Sequence, residues 1–322
     1  MTYHFNKVYI NEKYSLLGSG KYEPIVKGNT EEFIEDYYLN QRTIELCEAE
    51  YQRIVIDKLI EKSNISKNNI DLIINGDLQN QILASTLSVC NKGISSLGIY
   101  SACATFIEGL IIASMFVSNT NSNIMVVSSS HNLVSEKQFR FPVEYGALRR
   151  KVNTCTASGS VAALVSRKKS NIKIESCTIG KIIQTNHKDT NDMGSAMAPA
   201  AYHTISDHLK NTNQKLSDFD LVITGDLSKF GNKCLKKLLN ESNLDDCGLH
   251  LYDINKQDVF QGGSGCACSA LVLSLWIIKE MTEKKLKRVL FCPTGALLSL
   301  TSTNQKESIP CICHVIELER EE

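Results

Sequence analysis

Cys103 is the residue of this sequence whose position best suits a nucleophile. It lies in a turn of small residues, Ser101-Ala102-Cys103-Ala104, directly before an apolar stretch with helical spacing. The unpaired N–H groups and the dipole at a helix start lower the pKa of a nearby thiol, which favours the reactive thiolate. A buried thiol that only packs is the competing interpretation, because the chain contains 12 cysteines. We predict that Cys103 lines a pocket, without assigning it a catalytic step.

A second turn of small residues, Gly262-Gly263-Ser264-Gly265, opens another apolar helix, predicted from Cys266 to Lys279. Nucleotide-binding loops combine such glycines with a Lys-Ser/Thr ending, which is missing here. The turn therefore predicts close packing of two backbones rather than a phosphate site.

Charged and polar residues elsewhere have ordinary structural interpretations beside any functional one. Asp192 precedes a helical stretch and is predicted to be its N-cap, with a place in a pocket wall as a second role. His131, Lys137, Arg140 and Arg149 follow a predicted strand and could be surface charges or hydrogen-bonding groups in a loop.

The charge balance and the cysteine spacing exclude several classes of protein. Lys plus Arg and Asp plus Glu are 35 each, which argues against a nucleic-acid-binding protein. Neither Cys266 with Cys268 nor Cys311 with Cys313 is followed by a second pair at zinc-site spacing. We expect no metal and no cofactor, and reduced, mostly buried thiols.

The N-terminus lacks the basic and then apolar pattern of a signal peptide. No stretch is recognised that reaches the roughly 18 to 20 apolar residues of a membrane span, and Leu271 to Ile278 is too short. The expectation is a protein of the cytoplasm, or one that lies peripherally on a membrane.

An internal repeat is the strongest signal for the fold. Residues 71 to 78 and 220 to 227 share six of eight residues, and each apolar run predicts a buried strand that ends at a Gly-Asp turn. Helical patterns precede both copies, and an apolar helix followed by strands comes after each. Alternating strands and helices indicate parallel sheets with right-handed crossovers, here in two copies. We predict an N-terminal half, 1–170, that carries Cys103, and a C-terminal half, 171–322.

The helices after Cys103 and Gly265 are apolar on almost every side, so they belong in the interior. Two buried helices between two sheets, with further helices outside, give a layered α-β-α-β-α arrangement of the α/β class.

This arrangement, with a cysteine at the start of the first buried helix, resembles the duplicated fold of the thiolase superfamily. Within it, the chain resembles the stage V sporulation protein AD family of spore-forming bacteria. The resemblance covers nearly the whole chain and rests on the segments Ser129-Ser130-His131-Asn132, Gln138-Phe139-Arg140-Phe141-Pro142, Asp192-Met193-Gly194-Ser195, Thr224-Gly225-Asp226-Leu227-Ser228, Asp245-Asp246-Cys247-Gly248-Leu249, Gly262 to Ser269 and Thr294-Gly295-Ala296-Leu297.

The resemblance implies a non-enzymatic role: binding dipicolinate (pyridine-2,6-dicarboxylate), alone or as its calcium complex, for uptake into the developing spore. The protein would act as a subunit of a membrane channel complex, in the cytoplasm or peripheral on the spore inner membrane. Thiolase-like proteins usually pair through a sheet edge, so a homodimer is expected.

The alternative is an acyltransferase or condensing enzyme of the ketoacyl synthase type that uses Cys103. Such enzymes need a His and an Asn to hold the developing oxyanion. The matching places here read Thr224-Gly225-Asp226 and Gly262-Gly263-Ser264, which supply neither side chain. We therefore expect no catalytic residue, with Cys103 as a vestigial nucleophile position.

A dicarboxylate with a pyridine ring needs fixed donors and an apolar slot. Arg140 and His131 are the preferred donors, because arginine holds a carboxylate through two parallel hydrogen bonds. Phe139, Phe141 and Tyr145 could stack on the ring, and glycine at 225 and 263 would leave room for it. The predicted ligand-binding residues are Cys103, His131, Arg140, Tyr145, Asp192, Met193, Gly263 and Ser264.

Overall fold

The computed structural model of the protein describes residues 1–20, 22–139 and 149–321. Its strands are β1 (Thr2–His4), β2 (Tyr9–Leu17), β3 (Glu32–Phe33), β4 (Leu72–Gly76), β5 (Ser96–Gly98), β6 (Ile124–Ser130), β7 (Cys155–Thr156), β8 (Gly159–Ser166), β9 (Ile172–Thr178), β10 (Ile183–Gln184), β11 (Leu221–Thr224), β12 (Asp245–Asp246), β13 (Gly263–Ser264), β14 (Arg288–Cys292), β15 (Thr294–Ala296), β16 (Pro310–Cys313) and β17 (Val315–Arg320).

The α-helices are α1 (Ile44–Ser63), α2 (Leu83–Val89), α3 (Thr105–Asn119), α4 (Asn132–Phe139), α5 (Met193–Thr212), α6 (Ser228–Leu239), α7 (Cys247–Leu251), α8 (Cys266–Val272), α9 (Ile278–Thr282) and α10 (Leu300–Asn304). A π-helical turn, Leu273–Ile277, joins α8 to α9 in one continuous helix.

The large sheet contains the same strand arrangement twice. One set runs in the order β5, β4, β6, β8, β2, and the other in the order β12, β11, β14, β17, β9. In each set the first three strands are parallel and the last two join antiparallel. Strands β4 and β11 carry the repeated segments 71 to 78 and 220 to 227, so these segments occupy equivalent places. Antiparallel pairing of β2 with β9 joins the two sets. The boundary near residue 170 remains a prediction.

Five layers follow from the way the two faces of the sheet are covered. The central helices α3 and α8 contact each other and pack on β6 and β8. Phe106, Ile107 and Leu271 on these helices are at most 1% exposed. Helix α1 covers the opposite face of the first set, and α5 with α6 covers the second. The predicted thiolase-like α-β-α-β-α fold with two buried central helices is confirmed.

The sequence did not reveal strand β2, although it is the innermost strand of the first set. A register shift between Ile10 and Glu12 interrupts its pairing with β8. Its central residues are only half-buried, so the alternation of apolar and polar residues that marks a strand is weak.

Within residues 1–20, 22–139 and 149–321, one helix is long and apolar enough to cross a membrane by length and composition alone. The segment Ala102–Asn119 has a mean hydropathy of 1.5, and 61% of it is buried inside the protein. It contains the central helix α3, and a core helix of this kind meets the same criteria as a membrane span.

Candidate ligand-binding cavity

The turn before α3 holds Cys103 in a fixed position. Ala102 has a φ of +49°, in the left-handed region that residues other than glycine seldom adopt. The Thr105 hydroxyl donates to the Ala102 carbonyl oxygen (2.6 Å) and accepts from the Ser101 N–H (3.1 Å). The Cys266 thiol donates to the same Ala102 carbonyl (2.9 Å). These bonds over-determine a strained turn, as is common at binding and active sites.

Asp226 places a buried carboxyl group directly against Cys103. It follows β11 and is 1% exposed. Its Oδ1 accepts from the Thr294 hydroxyl (3.0 Å), and its Oδ2 accepts from the Gly265 N–H (3.4 Å). Burial raises its pKa to about 7, the neighbouring Asp246 adds to the rise, and hydrogen bonds from the Cys103 thiol and Thr294 oppose it. Near neutral pH this group is therefore present both as an acid and as a carboxylate.

The chemical state of Cys103 is opposite to the one that its position predicts. The residue is partly exposed through the cavity, but its sulfur lies deep in the protein. Burial raises the pKa of the thiol well above its ordinary value, and the nearby Asp226 carboxyl group and Cys266 raise it further. The expected lowering at a helix start is therefore wrong, because desolvation and a neighbouring negative charge outweigh the helix dipole.

Cys103 and Asp226 open into a small cavity of about 50 Å³, room for a few water molecules. A wider groove of about 390 Å³ adjoins it, and the two share Leu78, Tyr100, Phe139 and Leu298. Among the described residues that line the cavity, Asp226 carries the only carboxyl group, and none is lysine, arginine, histidine or asparagine. The lining residues are Leu78, Tyr100, Ala102, Cys103, Ser135, Phe139, Thr154, Thr156, Met193, Met197, Asp226, Ser264, Gly265, Ala296 and Leu298.

Three of the predicted site residues meet in this cavity. Cys103, Met193 and Ser264 all line it, and so does Phe139, one of the aromatic residues considered for stacking. The Ser264 hydroxyl accepts from the Thr154 hydroxyl at 2.8 Å, which orients both polar groups. Ser264 belongs to β13 and Thr154 directly precedes β7, and the parallel pairing of these two strands brings the residues together.

His131 is not at the cavity and cannot be the predicted donor to a ligand there. It is completely buried, its Nε2 lies 3.0 Å from the Tyr37 carbonyl oxygen, and its ring stacks on Tyr51 with centroids 5.8 Å apart. Burial lowers its pKa to about 4, despite the bond to Tyr37, so the ring is neutral at physiological pH. It is a packing residue beneath α1.

Asp192 and Gly263 also lie outside the cavity lining. Asp192 is the N-cap of α5, as predicted, and accepts from the Ser195 N–H at 3.2 Å. A Cβ at Gly263 would lie 2.8 Å from Leu251 and 3.2 Å from the Cys268 sulfur. A Cβ at Gly225 would lie 2.9 Å from the Pro293 Cα. These glycines therefore permit close packing, and the idea that they clear space for a ring is wrong.

Arg140 and Tyr145, the remaining predicted site residues, and Phe141 lie outside the described residues. Of the other basic residues that were considered, Lys137 pairs with Glu45 (2.7 Å) and Arg149 pairs with Glu136 (2.6 Å). Arg149 also donates to the carbonyl oxygen of Thr154, whose side chain lines the cavity. Both contacts are made by Nη2 of Arg149.

Asp226 is the cavity residue beside Cys103 that the sequence reasoning missed. It is the seventh residue of the second repeat, 220 to 227, and corresponds to Asp77 in the first. Asp77 is buried as well and accepts from the Gln79 N–H (2.8 Å) and from the Ser85 N–H (2.7 Å). The two aspartates therefore have different surroundings: Asp77 accepts hydrogen bonds within a turn, and Asp226 faces Cys103. The repeated Gly-Asp turn was the signal that could have directed attention to it.

The chain has a thiolase-like fold. A variant of OleA from Xanthomonas campestris superposes with a TM-score of 0.65 at 14% identity, covering 98% of this chain and 99% of that one. The 3-oxoacyl-[acyl-carrier-protein] synthase III of Aquifex aeolicus gives a TM-score of 0.59 at 13% identity, covering 97% and 99%. At these identities the likeness establishes the shared fold.

The family follows from closer similarity. The family model of stage V sporulation protein AD matches residues 2–319. Stage V sporulation protein AD of Bacillus subtilis is 40% identical over 293 residues, which is 89% of this chain and 86% of that protein. The chain belongs to the stage V sporulation protein AD family.

Proposed function

We propose that the protein binds dipicolinate, alone or as its calcium complex, for uptake into the developing spore, and that it catalyses no reaction on it. In this role it is a peripheral subunit of a membrane channel complex. The observation that carries the non-enzymatic part is the pairing of Cys103 with a buried carboxyl group. A thiol that stays protonated is a poor nucleophile, since the thiolate is the reactive form. Condensing enzymes need the reverse arrangement, in which a neighbouring group activates the cysteine.

The shape and lining of the site suit a small planar ligand. Apolar side chains from Leu78, Met193 and Met197 line the slot, and Ser264 and Thr154 offer hydroxyl groups within it. The closed part is too small for a ring with two carboxylates. The ligand must therefore extend past Tyr100 and Phe139 into the adjoining groove, and the two rings flank its path.

The charge of the site bears on the form in which dipicolinate binds. An ionised Asp226 would repel a dianion in a buried setting, where like charges are poorly screened. A protonated Asp226 can instead donate a hydrogen bond to a ligand carboxylate. Calcium can also remove this repulsion, because it coordinates carboxylate oxygens of both the ligand and the protein. The free ligand should therefore bind with uptake of a proton, and the calcium complex should bind without one.

A calorimetric titration at about pH 6 and about pH 8 tests this proposal. We expect micromolar binding of free dipicolinate, about −8 kcal/mol, at the lower pH. Binding should weaken about tenfold at the higher pH, because the pKa of Asp226 is about 7 and dipicolinate itself is fully ionised throughout. Added calcium should reduce this dependence. Absence of binding at both pH values, with and without calcium, would refute the proposal. Asp192→Asn, which neutralises an aspartate outside the cavity lining, is the control and should bind as the parent does.

We further propose that two copies pair through β5. This strand ends the large sheet, all three of its residues are exposed, and one of its edges has no partner among the described strands. Leu83, Leu97 and Tyr100 add exposed apolar side chains at this edge. An open apolar edge strand is a ready template for pairing, and antiparallel pairing of two copies gives closed two-fold symmetry.

Sedimentation measures the predicted dimer directly. The parent should sediment at about twice the 35.8 kDa of the chain at micromolar concentration, and Leu97→Glu should shift it towards the monomer. Leu238→Glu, an equally exposed leucine on another surface, is the matched control and should leave the dimer intact. A parent that sediments as a monomer would contradict the pairing.

A further inference from the structure

Helix α6 presents two parallel stripes of different chemistry to the outside of the protein. Ser228, Gly231, Asn232 and Leu235 form its buried face. The first outward stripe consists of Lys229, Lys233 and Lys237, which recur every fourth residue and lie one above the other. Lys236 extends this basic surface. The second consists of Phe230, Cys234 and Leu238, again at every fourth residue.

The apolar stripe is accessible rather than part of the core. Phe230 is 41% exposed and Leu238 is 46% exposed, while Cys234 between them is partly buried. A helix of a globular protein normally directs one apolar face inwards, and α6 already has such a face. A second apolar stripe that points outwards therefore indicates a surface that contacts something else.

The three lysines of the first stripe, Lys229, Lys233 and Lys237, are available to bind negative charge. None of the ion pairs found within residues 1–20, 22–139 and 149–321 uses Lys229, Lys233, Lys236 or Lys237. Of the nearest acidic residues along the chain after α6, Asp245 lies close enough to Lys236 to interact with it electrostatically, so Lys236 is partly neutralised. Glu241 accepts from the N–H groups that follow it, and Asp245 pairs with His250 at 2.6 Å. The helix thus concentrates positive charge on a chain whose net charge is zero.

We propose that α6 is a membrane-contact helix that lies flat on an anionic phospholipid surface. Its lysines would bind the headgroup phosphates, and Phe230 with Leu238 would enter the boundary between headgroups and acyl chains. Basic and large apolar residues side by side are the chemistry of helices that lie in a membrane interface. This inference goes beyond ligand binding, since the helix surface is separate from the side chains that line the cavity.

Co-sedimentation of the full chain with phospholipid vesicles tests the proposal. The parent should sediment with vesicles that contain phosphatidylglycerol and not with vesicles of phosphatidylcholine alone. Replacing Lys229, Lys233 and Lys237 with glutamine should weaken this binding roughly a hundredfold. A second variant, Phe230→Ser with Leu238→Ser, should bind several-fold more weakly and retain the salt dependence of the parent.

The matched control carries the same change of charge elsewhere: Lys67, Lys188 and Lys306, all exposed, become glutamine. It should bind vesicles like the parent, and every variant should bind dipicolinate as the parent does. An equal loss in the control would overturn the proposal, because total charge would then explain the binding. Failure of the parent to bind anionic vesicles would overturn it as well, and would assign the two stripes to an acidic protein partner.

Discussion

Replacing Asp226 with asparagine is expected to make Cys103 react with iodoacetamide about tenfold faster or more. In the parent, burial raises the pKa of the thiol, and the adjacent carboxyl group raises it further. Asparagine keeps the shape of the side chain but carries no charge, and its one oxygen can replace only one of the two carboxylate oxygens that accept from Thr294 and Gly265. A decrease of one unit in the thiol pKa increases the thiolate fraction tenfold at a pH below the pKa.

The rate of alkylation by iodoacetamide must be measured at each cysteine separately, by mass spectrometry of peptides. Cys90 is exposed and provides an internal reference that should react equally in both proteins. Asp192→Asn is the control for a neutralised aspartate that does not face the cysteine. An unchanged rate at Cys103 would show that Asp226 does not control the thiol. A stoichiometric acyl adduct at Cys103 of the parent, formed from acyl-CoA and then turned over, would favour the condensing-enzyme alternative.

The same variant should also alter how stability depends on pH. The pKa of Asp226 is raised from its ordinary 3.8 to about 7, so between these values the folded protein holds a proton that the unfolded chain has released. The stability of the parent therefore falls as pH rises through this window, by on the order of 4 kcal/mol. Asp226→Asn lacks this contribution. The free energy of unfolding of the variant minus that of the parent should therefore increase from pH 4 to pH 8. Chemical denaturation across this range measures the difference.

Filling the cavity with Ala296→Met is expected to weaken dipicolinate binding by at least about tenfold. Ala296 ends β15, is 6% exposed and faces the cavity beside Cys103. The longer side chain would fill the closed cavity of about 50 Å³, which one end of the ligand must enter while the rest extends into the groove. Overpacking of this kind costs about 1 to 3 kcal/mol in stability, so the variant is compared with the parent at a temperature where both are folded.

Two further variants make the result decisive. Ser135→Leu fills the same cavity from α4, where Ser135 is 6% exposed, and should also weaken binding. Thr301→Met adds a similar side chain to the exposed surface of α10, outside the cavity and groove, and should have no effect. If both filled variants, folded by circular dichroism, bind as tightly as the parent, the ligand occupies another part of the molecule.

The architecture could be predicted from the sequence because its main signals are local and repeated. The shared segment at 71 to 78 and 220 to 227 is a buried run that ends at a turn, and each copy forms a strand with a parallel neighbour on both sides. The apolar stretches after Cys103 and Gly265 have no polar face, so only an interior position suits them. Strand β2 was not predicted, because its position depends on pairing with β8 and β9, more than 140 residues further along the chain.

The site was harder to predict than the fold, because it depends on which direction each side chain takes after a turn. Gly225 and Asp226 are neighbours, yet one packs against Pro293 and the other faces Cys103. The same holds for Gly263, which packs on Leu251, and Ser264, which lines the cavity. The sequence also does not show whether a polar or titratable side chain is buried. His131 looked like a donor in a loop, and only the packing of Tyr51 over its ring shows that it is part of the core.

The position of β2 has a consequence for how the chain acquires its structure during synthesis. This strand leaves the ribosome well before β8 and β9, with which it pairs. Strand β1 likewise pairs with β9, so the N-terminal residues complete the junction between both strand sets. Such a high contact order makes folding slow, since a long loop must close before these contacts form. Until then β8 and β9 lack β2 between them, and the nascent chain exposes strand edges that are paired in the finished sheet.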